Sequence, residues 1–145
     1  PDARFIVMLR HPYETIPSLL DLMSQYWRAM GAPEPLVEAS AELLGEIQIV
    51  QYRYAVEIVD ALPPDRSVIV EFRELLSDPK RVVESIYDRF GLDISPDFDR
   101  FLEDEREAAR AFKSRHEYDP EGQGPARERV ARELADLFVR FDWKP

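Results

Sequence analysis

The chain has 145 residues, 45% of them hydrophobic and 33% charged, and its 29 acidic and 19 basic side chains leave a formal net charge of −10. That composition is ordinary for one globular domain spanning residues 1–145. The negative charge opposes non-specific binding to nucleic acid or anionic membranes, which depends on a positive surface, so any anion site must be local. With no cysteine and only two histidines, His11 and His116, disulfides and thiolate metal centres are excluded and no structural metal is expected. No run approaches the roughly 20 apolar residues that span a bilayer, and the N-terminus lacks a secretory-signal pattern, so a cytoplasmic location and no membrane insertion are expected. Pro1-Asp2-Ala3-Arg4 leads straight into an apolar run without an initiating Met, and the chain is expected to be a fragment of something longer.

Phe5 to Leu9 (FIVML) is a short, continuous apolar run that ends abruptly at Arg10-His11-Pro12, the pattern of a buried strand of the parallel kind. Pro12 suits the first turn of a helix, and Ile16, Leu20, Met23, Trp27 and Met30 then advance by four, three, four and three to mark one helical face ending near Gly31. Pro17 lies beyond the first turn, which predicts a kink or a late start. After Pro33 and Pro35, a stripe of Leu36, Leu43, Ile47, Val50, Tyr54, Ile58 and Ala61 predicts the longest helix, stopped by Pro63-Pro64.

Ser67 to Phe72 (SVIVEF) is a second β-branched run, and a right-handed crossover through the intervening helices should set the two strands parallel in one sheet. Asp78-Pro79 is an N-cap with proline at the first helical position. Val83, Ile86, Tyr87 and Phe90 supply the apolar face of that helix, and Gly91 closes it. Ser95-Pro96 opens another helix by the same logic, with Phe98, Phe101 and Leu102 inward and the charged run from Glu103 to Arg110 in water. Lys113 to Gly124 has no period and reads as a loop. Pro125 opens a last helix with Val130, Leu134, Leu137, Phe138 and Phe141 as its stripe.

Arg10 stands at the carboxyl end of the first strand, and Ser18 follows eight residues later in or near the first turns of the next helix. Ligands of open parallel sheets bind at the carboxyl ends of strands, and a helix start offers unpaired N–H groups and a positive dipole end to a phosphate. A guanidinium fork and a hydroxyl suit that ligand, although an arginine ending a strand also serves as a surface residue or a salt-bridge partner.

The segment PDARFIVMLRHPYETIPSLLDL resembles the part of sulfotransferases in which a strand, an arginine and a serine eight residues on bind the 3′-phosphate of 3′-phosphoadenosine 5′-phosphosulfate (PAPS). VEFRELLSDPKRVVESIYDRFGL, residues 70–92, resembles that family's strand, Tyr-Glu-Asp-Leu turn, Asp-Pro cap and closing Gly-Leu. SRHEYDPEGQG is similar to the His-x-Tyr segment before the final helix of bacterial members.

The resemblance implies an α/β fold, a three-layer P-loop-like parallel sheet flanked by about five helices, with the N-terminal strand and the phosphosulfate loop missing from this chain. It also implies Arg10 and Ser18 on the 3′-phosphate, with Lys113 and Arg115 as further cofactor contacts in a loop that closes over the nucleotide. The chemistry implied is sulfuryl transfer from PAPS to an acceptor hydroxyl or amine on a small molecule, carbohydrate or lipid.

Three departures bear on the site. Phe72 stands where the family usually has tyrosine, removing a phenol but keeping the ring; Arg73 replaces a common acidic residue, with Glu74 still able to cap or pair; and Pro17 adjoins Ser18. The family's glycine-rich, hydroxyl-bearing loop and usually its catalytic base fall upstream of Pro1, so the chain alone is expected to be inactive and its catalytic residues are not assigned.

Bland roles compete with these. His11 is expected to cap its helix or lie at a turn rather than act as a base. His116, with Lys113 and Arg115, either reaches the phosphate or an acceptor entrance, or belongs to a solvated loop. Tyr26, Trp27 and Met30 are expected to pack. The rival to the enzyme reading is a non-catalytic interaction module on the same fold. A strand left unpaired on one side would favour pairing with another chain or a homo-oligomer.

Overall fold

The computed structural model describes residues 2–111 and 124–144, with the side chains of 110 and 111 left aside. It is mixed α/β and mostly helical: β1 (Phe5–Leu9), α1 (Pro12–Ala29), α2 (Glu34–Ala61), β2 (Ser67–Glu71), α3 (Phe72–Ser77), α4 (Pro79–Arg89), α5 (Pro96–Ala111), α6 (Arg127–Glu133) and α7 (Ala135–Arg140). The chain divides into two compact units, Pro1–Arg10 with Ala55–Arg115, and His11–Tyr54 with His116–Pro145.

In the first unit β1 and β2 pair in parallel, as their separation by helices requires, with Phe5 opposite Ser67 and Leu9 opposite Glu71. The start of β2 is held by polar contacts. The buried Ser67 hydroxyl donates to the Val59 carbonyl at 3.1 Å, and Arg89 Nε donates to the carbonyls of Pro64 and Ser67 at 2.9 and 2.8 Å. β1 is not the buried strand its composition suggests. Only Leu9 is buried, while Phe5, Ile6 and Met8 are each about half exposed. A strand buries both faces only when layers cover both, and among the described residues the sheet has two strands.

Local punctuation is where the sequence said it would be. Asp78 caps α4 by accepting from the Arg81 N–H at 3.1 Å, and Gly91 leaves that helix at φ +61. The Ser95 hydroxyl caps α5 through the Phe98 N–H at 3.2 Å. Lys80 joins α4 to α5. Its ammonium lies 2.7 Å from Asp99, 3.2 Å from Glu103 and 3.8 Å from Glu84, and the Asp99 contact is the main cause holding its pKa above the ordinary lysine value. Among the described side chains of this helix pair Val82 and Leu102 are buried, with Val83 and Phe98 half-buried and Phe101 exposed.

The second unit holds α1, most of α2 and the C-terminal helices. α1 runs from Pro12 through Pro17, so of the kink or late start expected there the late start does not occur. Ile16 and Leu20 are buried, but the buried face continues through Ser24, and Met30 is exposed.

In α2 the buried stripe is not the one periodicity selects. Val37, Ala41, Gly45, Ile49, Tyr52, Val56 and Val59 are buried, while Leu36, Leu43, Ile47, Val50, Tyr54 and Ile58 are exposed. Both sets recur at helical spacing on opposite sides, and the smaller residues face the core. At Gly45 an added Cβ would lie 2.4 Å from the Pro125 ring, so glycine is what that approach admits.

The single final helix expected from Pro125 is two short ones, α6 and α7, meeting at Leu134. The expected apolar residues Val130, Leu134, Leu137 and Phe138 are buried, joined by Trp143.

The two stripes of α2 make a direct test. Ile49→Ala is expected to lower stability by about 3 kcal/mol and Val50→Ala by less than about 0.5 kcal/mol in denaturant titrations. The reverse order would show that the stripe chosen by periodicity is the buried one.

Candidate functional site

Parallel strands point the same way, so with Leu9 opposite Glu71 the next residues, Arg10 and Phe72, leave the sheet together at its carboxyl end. Both are half-buried, and the Arg10 guanidinium carbon lies over the Phe72 ring, 5.1 Å from its centroid. The position at which the sequence registers only a lost phenol is therefore the ring under the candidate anion-binding arginine. Register was the signal that could have found it, because the pairing makes residues 10 and 72 neighbours.

Beside them Glu71, mostly buried at the end of β2, is paired by Arg73 through Nε at 3.1 Å and a second N–H at 3.2 Å. The basic residue in the family's acidic position thus holds its neighbour's carboxylate. Glu74 contributes its carbonyl, which accepts from the Ser77 hydroxyl and the Asp78 N–H.

Ser18 is half-buried in the second turn of α1. Arg10 closes a segment of the first unit and Ser18 lies in the second. Lys113, Arg115 and His116 lie outside the described residues.

The start of α1 does not offer a phosphate the unpaired N–H groups expected of it. Pro12 has none, Tyr13 N–H donates to His11 Nδ1 at 3.1 Å, and the N–H groups of Glu14 and Thr15 both donate to the His11 carbonyl. Anion binding here therefore falls to side chains.

The same contacts define His11. Because the Tyr13 amide can only donate, Nδ1 must accept and the ring proton sits on Nε2, which donates to the Lys144 carbonyl at 3.0 Å. Phe138 meets the ring edge-on at 5.4 Å, with Tyr13 at 5.1 Å and Trp143 at 5.7 Å. With both nitrogens engaged, His11 is the helix cap rather than a general base. Tyr13, whose hydroxyl donates to the Arg127 carbonyl at 2.9 Å, is held above its ordinary pKa chiefly by burial, with Arg127 lowering it and Glu128 raising it. Sequence reasoning missed the C-terminal half of this cluster, because nothing in a local pattern ties Trp143 and Lys144 to residue 11.

No group of three potential ligands that could hold a metal ion occurs among the described residues, and no described helix is long and apolar enough to cross a membrane.

Residues 1–96 match a family model described as the sulfotransferase family. Among curated proteins the chain is similar to omega-hydroxy-beta-dihydromenaquinone-9 sulfotransferase Stf3 of Mycobacterium bovis and of Mycobacterium tuberculosis. Each is 26% identical over 102 residues, covering 70% of this chain and 26% of the relative. Among solved structures it resembles the sulfotransferase domain from the curacin biosynthetic pathway, with a TM-score of 0.52 and 13% identity over 94% of this chain and 53% of that one. The matched region thus spans about a quarter of the length of the curated relatives, and the structural likeness speaks to fold alone.

If His11 is the cap, His11→Ala should lower stability by about 1–2 kcal/mol, and His11→Asn, which can still accept from the helix N–H, should recover part of that loss in thermal melts. Equal stability of all three proteins would contradict the assignment.

Proposed function

Because the chain belongs to the sulfotransferase family, we propose that it carries the 3′-phosphate half of a PAPS site and serves an enzyme that transfers a sulfuryl group to an acceptor hydroxyl or amine. The observation that supports this reading is Arg10, a half-buried guanidinium at the carboxyl end of the parallel strand pair, where open α/β sheets bind ligands. Its planar fork of donors matches phosphate geometry, and the Ser18 hydroxyl supplies a further donor from α1. The donor set fits a phosphate group.

When bound, PAPS would supply the activated sulfuryl group. Arg10 and Ser18 would orient the nucleotide by its 3′-phosphate, and Lys113 and Arg115 would close over it. These contacts lie at the far end of the nucleotide from the transferred group. They act by positioning, which converts an encounter between two molecules into a reaction within one complex. No residue of this chain is assigned to the donors around the moving group or to the base on the acceptor. In that reading the fold is of the three-layer, P-loop-like kind and the protein works in the cytoplasm. The mycobacterial relatives are named as sulfotransferases of omega-hydroxy-beta-dihydromenaquinone-9, which favours a hydroxyl over an amine and a lipid among the acceptor classes.

The second reading, an interaction module that kept this part of the fold and lost the chemistry, is favoured by the exposed side chains of β1, Ile6 and Met8 on one face and Phe5 on the other, which another copy or chain could cover.

Calorimetric titration with adenosine 3′,5′-bisphosphate at low salt separates the two. The enzyme reading expects binding in the millimolar range or tighter, lost in Arg10→Ala and weakened about three- to tenfold in Ser18→Ala. A folded chain that binds no nucleotide would favour the module.

A further inference from the structure

We propose that Phe72 is a positioning residue of the nucleotide site, its ring holding the Arg10 guanidinium in the orientation that meets the 3′-phosphate. The proposal rests on the reading of Arg10 given above and adds a residue to it. An arginine side chain is long and rotamer-rich, and freezing it at the moment of binding weakens the complex. A ring already beneath the cation removes part of that penalty in advance. The attraction is between charge and the ring's quadrupole, so the ring itself occupies none of the guanidinium's N–H donors.

The framework around the ring is suited to the task. Phe72 follows Glu71, the last paired residue of β2, and opens α3, which contacts β2, α4 and α5. An aromatic side chain has only two rotatable bonds, so a ring on this short helix is a stiff support for a flexible one. Register completes the arrangement, because Leu9 opposite Glu71 delivers residues 10 and 72 side by side and the guanidinium carbon sits 5.1 Å from the ring centroid. The same logic explains how a phenylalanine can stand where the family usually has tyrosine, since the platform needs the ring and not the hydroxyl.

The test compares wild type, Phe72→Leu and Phe72→Tyr, each confirmed folded by circular dichroism and thermal melting. Leucine keeps the apolar volume and removes the π face; tyrosine restores the face. In the ligand-free chain, NMR should find the Arg10 δ-methylene protons shifted upfield by the ring current in wild type and Phe72→Tyr, and not in Phe72→Leu. Calorimetry with adenosine 3′,5′-bisphosphate should find binding weakened about three- to tenfold in Phe72→Leu and restored in Phe72→Tyr. Equal affinity in wild type and Phe72→Leu would overturn the positioning role while leaving Arg10 as the phosphate ligand. A ring-current shift in a wild-type chain that binds no nucleotide would instead refute the phosphate reading of Arg10, and the role of Phe72 with it.

Discussion

Parallel pairing of β1 with β2 is the constraint from which the candidate site follows. Two parallel neighbours cannot be joined by a tight turn, so the chain must travel through α1 and α2 before it returns as β2. Their carboxyl ends then lie at one edge of the sheet, and the residues that step off it are Arg10 and Phe72. Had β2 paired one residue out of register, its side chains would have exchanged faces and the ring would have left the guanidinium. The polar ties at the beginning of β2, from Ser67 to Val59 and from Arg89 to Pro64 and Ser67, secure the frame within which that register holds.

Anion recognition in a chain of net charge −10 must be arranged locally. At the start of α1 the structure assigns the peptide N–H groups to His11, whose ring and carbonyl accept all three available donors of the first turn. Beside Arg10, the end of β2 carries Glu71, a mostly buried carboxylate held by Arg73. Among the described residues, the proposed phosphate contact at this edge is therefore the side chain of Arg10, supported by Phe72, rather than a cradle of backbone amides. Recognition built on so few charges should weaken only modestly with salt compared with a polybasic surface, because few counterions are displaced.

Features written in local chemistry were legible in the sequence. Asp78-Pro79, Ser95-Pro96 and Gly91 mark their helix ends because a cap needs only the residues within one turn. Arg10 was singled out for the same reason, through a strand ending beside it.

Features decided by neighbours were not legible. Helix α2 carries apolar residues at helical spacing on two opposite faces, and periodicity alone cannot choose between them; the structure buries the face with Val37, Ala41 and Gly45, where the chain around Pro125 comes close. Phe5, Ile6 and Met8 look like core because they are apolar and β-forming, yet burial of a strand depends on what lies over it. The cluster uniting His11 with Phe138 and Trp143 depends on contacts across most of the chain length, and no local pattern marks the break between α6 and α7 at Leu134. Phe72 falls between these cases, because its role follows from register, which composition does not specify.

The central claim is that the carboxyl edge of the β1–β2 pair binds a 3′-phosphorylated nucleotide through Arg10. The most direct measurement is an amide-resolved NMR titration of the chain with adenosine 3′,5′-bisphosphate. The account predicts that the largest shifts fall at Arg10 and at residues 71–73. Shifts concentrated on α5 or the C-terminal helices, with this edge unchanged, would contradict it.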